Sequence, residues 1–348
     1  MKKFLLVCFC FMFVAISFFG CGKKKVEVSI SDWDGDKIES EWEKPFQSLG
    51  DASRVFDNEY TIIEVGTAEE FRKMGSNEML PEGYSEESGE IIVYKLTSDI
   101  DLGGKALNGP IELTKKMILW GNNKIVDNFK LGDGDNQRYN LIAGAAAIYD
   151  FRVSMRYQKL NINVNDNGEN NLYISPFINV QILENISVKG GLYLTKFMDA
   201  NRSYGNYKNI SLLCSKTDDN AGVIIKNCDV LGVIKVEDKV EGQGAVLGSA
   251  KAEYSDKLTA SGLIDKADNA NITNSSVDVE MNIYSISSST IGGICASAKN
   301  AFLENNKVKL KVDKKSYEVN AGAAAASFGL DIFGGLVGKL ETSEIKNC

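Results

Sequence analysis

The sequence predicts an all-β fold, a right-handed parallel β-helix preceded by a short capping helix, and three observations predict it. A degenerate unit recurs: an apolar residue, any residue, Asn, two further residues, then Val or Leu. Short segments alternate apolar and charged residues, as in Val277-Asp278-Val279-Glu280-Met281 and Val308-Lys309-Leu310-Lys311-Val312, the period of a strand with one buried face. Gly293 and Asn305 stand 12 residues apart, and so do Gly335 and Asn347. The competing all-β reading is a β-sandwich, with hairpin loops at Asn108-Gly109, Asp133-Gly134 and Asn167-Gly168.

From the N-terminus, Lys2 and Lys3 precede an uncharged apolar run from Phe4 to Phe19. That run is short for a membrane-spanning helix, which takes about 20 residues, and suits a signal peptide. It ends in Gly20-Cys21-Gly22-Lys23, which resembles a bacterial lipoprotein cleavage site, with Phe18 and Phe19 in place of the usual Leu and small residue. The resemblance implies that residues 1–20 are removed and that Cys21 carries the lipid anchor, several acyl chains holding firmly where one would not. Loss of two lysines leaves a formal charge of −10, which repels nucleic acid and anionic membrane surfaces. Attachment to a membrane then rests on the anchor, and the expected location is the outer membrane or cell surface of a bacterium.

Residues 21–58 read as an acidic tether. Within them Asp32, Asp34, Asp36, Ser40 and Glu43 fall at positions 1, 3, 5, 9 and 12 of an EF-hand-like calcium loop. The turn glycine, however, is Gly35 at position 4, with Lys37 where glycine belongs. Calcium is the one cofactor the sequence brings forward, and a solvated acidic segment is the alternative. The absence of histidine excludes a Ser-His-Asp triad, His-ligated zinc and His-bound haem.

Residues 59–90 form the expected cap. Tyr60–Val65 is strand-like, and Thr67 with Glu70 makes a capping box for one or two helical turns that end at Gly75. Residues 91–348 carry the repeats. Tyr94-Lys95-Leu96-Thr97-Ser98-Asp99-Ile100-Asp101-Leu102, Pro110-Ile111 and Gly121-Asn122-x-x-Ile125-x-x-Asn128 together resemble the opening of GLUG-repeat proteins, built on a pectate-lyase-like β-helix. The Phe-Gly pair usual before that Gly-Asn is replaced by Ile118-Leu119-Trp120.

Further copies centre on Asp150, Asn185, Asn227, Asn274, Asn305 and Asn347. Asparagine tolerates the left-handed backbone that a sharp corner requires, and stacked copies can hydrogen-bond as a ladder. Intervals of 42, 47, 31 and 42 residues between the last five imply insertions of varying length. Cys214, Cys228, Cys295 and Cys348 show no CxxC spacing and read as small core hydrophobes, with three disulfide pairings open in an exported chain. The last copy stops one residue after Asn347, which reads as a truncated repeat.

The resemblance implies an exported surface protein that presents a binding or adhesion face to a protein or a glycan. The alternative is a carbohydrate-active β-helix enzyme, a lyase or glycoside hydrolase. Asp99 and Asp101 are its candidate acid–base pair, two apart on a strand and so on one face.

Overall fold

The computed structural model describes residues 60–107, 109–131, 138–163, 172–199, 207–216, 222–241, 257–285, 288–315 and 331–348. The expected signal segment, the expected anchor residue Cys21 and the candidate calcium loop with Asp32, Asp34, Asp36 and Glu43 lie outside them, as does the alanine-rich run 321–326.

The described chain is mostly β-strand, arranged in one 14-stranded, one 7-stranded and one 6-stranded sheet. Every strand pairing among the described residues is parallel. The antiparallel hairpins of a β-sandwich are therefore absent among these residues. From residue 172 the chain visits the sheets in a fixed rotation. Leu172–Ile174 lies in the 6-stranded sheet, Phe177–Ile178 in the 7-stranded and Ile182–Asp199 in the 14-stranded. Tyr207–Ser211, Cys214–Ser215 and Val223–Lys226 repeat that order, and Ile332–Gly334, Val337–Glu341 and Glu344–Lys346 end it.

Because like residues meet in register, the core is built of columns. Leu119, Ile148, Leu183, Ile225, Ile272 and Leu303 follow one another across paired strands, each fully buried. Val153, Val188, Val230 and Val277 form a second column. Each such side chain contributes about 1.5–3 kcal/mol relative to exposure. The turns between columns fall on the repeated asparagines: Asn128, Asn185, Asn227, Asn274, Asn305 and Asn347 have φ between 49° and 57°, and Asp150 has 50°.

The N-terminal helix is Ala68–Lys73. Glu70 N–H donates to Thr67 Oγ1 at 3.2 Å, and Glu70 Oε2 accepts from the N–H groups of Gly66 and Thr67 at 2.9 and 3.0 Å. Phe71 anchors the helix in the core, and Gly75 ends it at φ 79°, where a Cβ would meet Glu112 O at 2.1 Å.

Three features differ from expectation. The parallel sheet begins before residue 91, because Tyr60–Val65 pairs in register with Ile91–Leu96. That part of the large sheet is buried on both faces: Ile92, Tyr94 and Leu96 enter the main core, while Val93 joins Ile118 and Ala147 in a second cluster opposite. Finally, Val308 is only half-buried, because its strand Lys307–Lys315 pairs with Ser276–Tyr284 alone among the described residues.

Val277→Asp should therefore cost about 4 kcal/mol in urea unfolding, since it buries an unpaired carboxylate in a full column. Val308→Asp should cost roughly half as much, and equal losses would contradict the difference in burial.

Candidate functional site

Asp99 precedes the short strand Ile100–Asp101 and Asp101 ends it, and both are exposed. Asp99 Oδ1 accepts the N–H of Ile125 at 2.9 Å. Asp101 Oδ1 accepts the N–H of Gly103 at 2.7 Å and the amide of Asn128 at 2.8 Å. The Gly103 N–H, and after it the Asn128 amide, hold the Asp101 carboxyl below the usual range, the opposite of what a proton donor needs. These two residues act as turn clamps. Beside them Arg156 binds Asp127 through two hydrogen bonds of 2.9 and 2.7 Å. Burial works against ionisation of Asp127, but the hydrogen bonds from Arg156, Ser154 and Asn128 outweigh it and lower its pKa.

A richer constellation lies on the outer face of three long strands, Ala147–Asn163, Ile182–Asp199 and Asp229–Glu241. Their inward residues, among them Leu160, Leu192, Leu194, Ile234 and Val236, are in the core. Alternation sends Tyr157, Lys159, Tyr193, Lys235 and Glu237 outward. Register sets Lys159, Tyr193 and Lys235 side by side. The rings of Tyr157 and Tyr193 stack with centroids 6.0 Å apart. Lys235 Nζ lies 4.8 Å and Lys159 Nζ 5.9 Å from the centre of the Tyr193 ring, within cation–π range.

The Tyr193 hydroxyl donates to Glu237 Oε2. Burial raises the Tyr193 pKa, and the hydrogen bond to Glu237 adds to the rise; burial also raises that of Tyr157. Both phenols stay neutral at physiological pH. The arrangement offers two half-buried aromatic faces, an exposed ammonium on Lys159 and a buried carboxylate. The alternation in these segments was visible in sequence. Their alignment was not, because insertions of unequal length separate the strands.

No group of three or more Cys, Asp or Glu suited to hold a metal occurs among the described residues. Cys214, Cys228 and Cys295 are free and buried, and Cys348 is free and exposed. Burial pushes the Cys228 thiol up to about 12 and raises the Cys214 and Cys295 thiols as well, so these three are packing groups rather than nucleophiles.

One buried acid was not foreseen. Asp265 is fully buried, with Oδ1 accepting from the N–H groups of Lys266 at 2.8 Å and Lys216 at 3.1 Å. Its Oδ2 has no hydrogen-bond partner among the described residues.

No protein-family model, curated protein or solved structure matches this chain.

Burial, only partly offset by the Lys266 and Lys216 N–H groups, pushes Asp265 up to about 7 from an ordinary value of 3.8. Between those values the folded chain keeps a proton that the unfolded chain has lost. Stability from this group is thus greatest at acid pH and falls as pH rises towards 7, by roughly 4 kcal/mol in all. Asp265→Asn should remove that slope, so its stability relative to wild type should rise between pH 4.5 and 7.5 in urea unfolding. Parallel pH profiles for the two proteins would contradict the assignment.

Proposed function

We propose that the chain is a lipid-anchored, extracytoplasmic right-handed parallel β-helix of the kind the GLUG resemblance implies. Its outer sheet face presents a binding surface to a protein or glycan. The fixed rotation through three parallel sheets and the in-register columns support the solenoid. In that arrangement the helix Ala68–Lys73 covers the N-terminal end of the core. The Gly20-Cys21 junction after the apolar run supports the anchor.

The observation that carries the binding role is the Tyr157–Tyr193 stack with Lys159, Lys235 and Glu237 on the outer face of the long strands. Aromatic faces take up the apolar side of a sugar ring or a partner side chain. The exposed Lys159 ammonium adds a directional polar contact, while buried Lys235 and Glu237 hold the Tyr193 ring and hydroxyl in place. The enzymatic alternative draws less support, because its two candidate carboxylates hold backbone turns.

Binding of the purified chain to arrayed glycans and to extracellular surface proteins tests this reading. Replacing Tyr157 and Lys159 together by alanine should weaken the strongest interaction at least tenfold with an unchanged circular dichroism spectrum. Undiminished binding would move the site elsewhere on the molecule. In the expressing bacterium, Cys21→Ala should lose the acyl mass and move from the detergent to the aqueous phase; a variant still partitioning with detergent would remove the anchor.

A further inference from the structure

The capping helix and the first strands of the repeat region bound a cleft of about 420 Å3. On one side stand Arg72 and the residues that end the helix, Met74 to Ser76; on the other stand Leu107, Pro110 and Ile111. Met74, Leu107 and Ile111 are buried and make its wall apolar. The two sides meet at Gly75, where the backbone runs so close to Glu112 O that a Cβ would come within 2.1 Å of it. That contact fixes the width of the cleft without any side chain filling it.

Two polar groups on this wall are under-used. Arg72 Nη1 donates to Ala68 O at 3.4 Å and Nη2 donates to Leu102 O, so backbone carbonyls hold the guanidinium in place. No carboxylate among the described residues forms an ion pair with it, and a guanidinium has five N–H groups to give. The Ser76 hydroxyl is buried and has no hydrogen-bond partner among the described residues, a standing cost that a bound acceptor relieves. Glu112 lines the same cleft and is exposed, so the site carries one charge of each sign.

We infer that this cleft binds a small aliphatic monocarboxylate, its carboxylate on the remaining N–H groups of Arg72 and on the Ser76 hydroxyl, its apolar body against Met74, Leu107 and Ile111. An apolar wall with a few converging polar groups is how small-molecule sites are built, and the volume lies at the small end of their range of about 300–1,000 Å3. The planar fork of a guanidinium matches a carboxylate, and two backbone bonds already orient it. Glu112 sets the charge of the ligand: a second negative group would meet its carboxylate, so a dianion is disfavoured. The cleft shares no residue with the Tyr157–Tyr193 face, and the inference does not depend on that reading.

Butyrate is the probe, with butyramide as its uncharged counterpart and succinate as a dianion. The full chain in detergent, labelled with 13C at its methionine methyls, reports binding from inside the site, because Met74 is part of the wall; Met74→Leu assigns the resonance. Butyrate should shift the Met74 signal saturably, and butyramide and succinate should bind at least tenfold more weakly. This comparison uses the wild-type chain and needs no variant to fold. Arg72→Gln should weaken butyrate at least tenfold while leaving butyramide unchanged, and Ser76→Ala should weaken butyrate about threefold. No saturable shift, equal binding of butyrate and butyramide, succinate binding as tightly as butyrate, or full butyrate affinity in Arg72→Gln would overturn the inference.

Discussion

A left-handed residue at the same corner of each repeat is the constraint on which the structure depends. For an L-residue other than glycine that conformation costs roughly 1–2 kcal/mol, and asparagine bears it best because its short amide can hydrogen-bond nearby. Here the amide bonds to the repeat before it. Asn185 Nδ2 donates to Asp150 Oδ1 at 2.8 Å, and Asn227 Nδ2 donates to Asn185 Oδ1 at 3.2 Å. Asp150 Oδ2 also takes the Trp120 indole N–H at 3.1 Å. The backbone bonds the other way, to the repeat after: the N–H groups of Asn227, Asn274 and Asn305 donate to the carbonyls of Thr273, Glu304 and Lys346, each at 3.0 Å.

This ladder determines what faces where. A strand's side chains alternate, so a slip of one residue at a corner would turn every apolar column outward. With the corner held, Leu183, Ile225, Ile272 and Leu303 fall in line, and so do Val188, Val230 and Val277. The outer face is ordered by the same registration. Lys159, Tyr193 and Lys235 become neighbours although long stretches of chain separate them.

The corners were legible in the sequence because they demand one kind of residue, and the apolar positions around them repeat. The capping box at Thr67 and Glu70 was legible for the same reason, since a local backbone need is met by a local side chain. The outer face was not legible. It is a property of alignment between strands, and insertions of different lengths hide that alignment. Asp99 and Asp101 are both exposed, but only their partners, the N–H groups of Ile125 and Gly103, reveal them as clamps. Asp265 could not be singled out among the many acids, because its burial comes from strands distant in sequence.

A double-mutant cycle at Asn185 and Asn227 tests the ladder most directly. Each asparagine→alanine change should cost about 2 kcal/mol, half from the left-handed backbone and half from the lost hydrogen bond, while glycine should restore the backbone share. The double alanine variant should lose less than the sum of the singles, because the two side chains share one bond. Alanine tolerated as well as glycine, with strictly additive losses, would show that neither the corner conformation nor the ladder holds the strands in register.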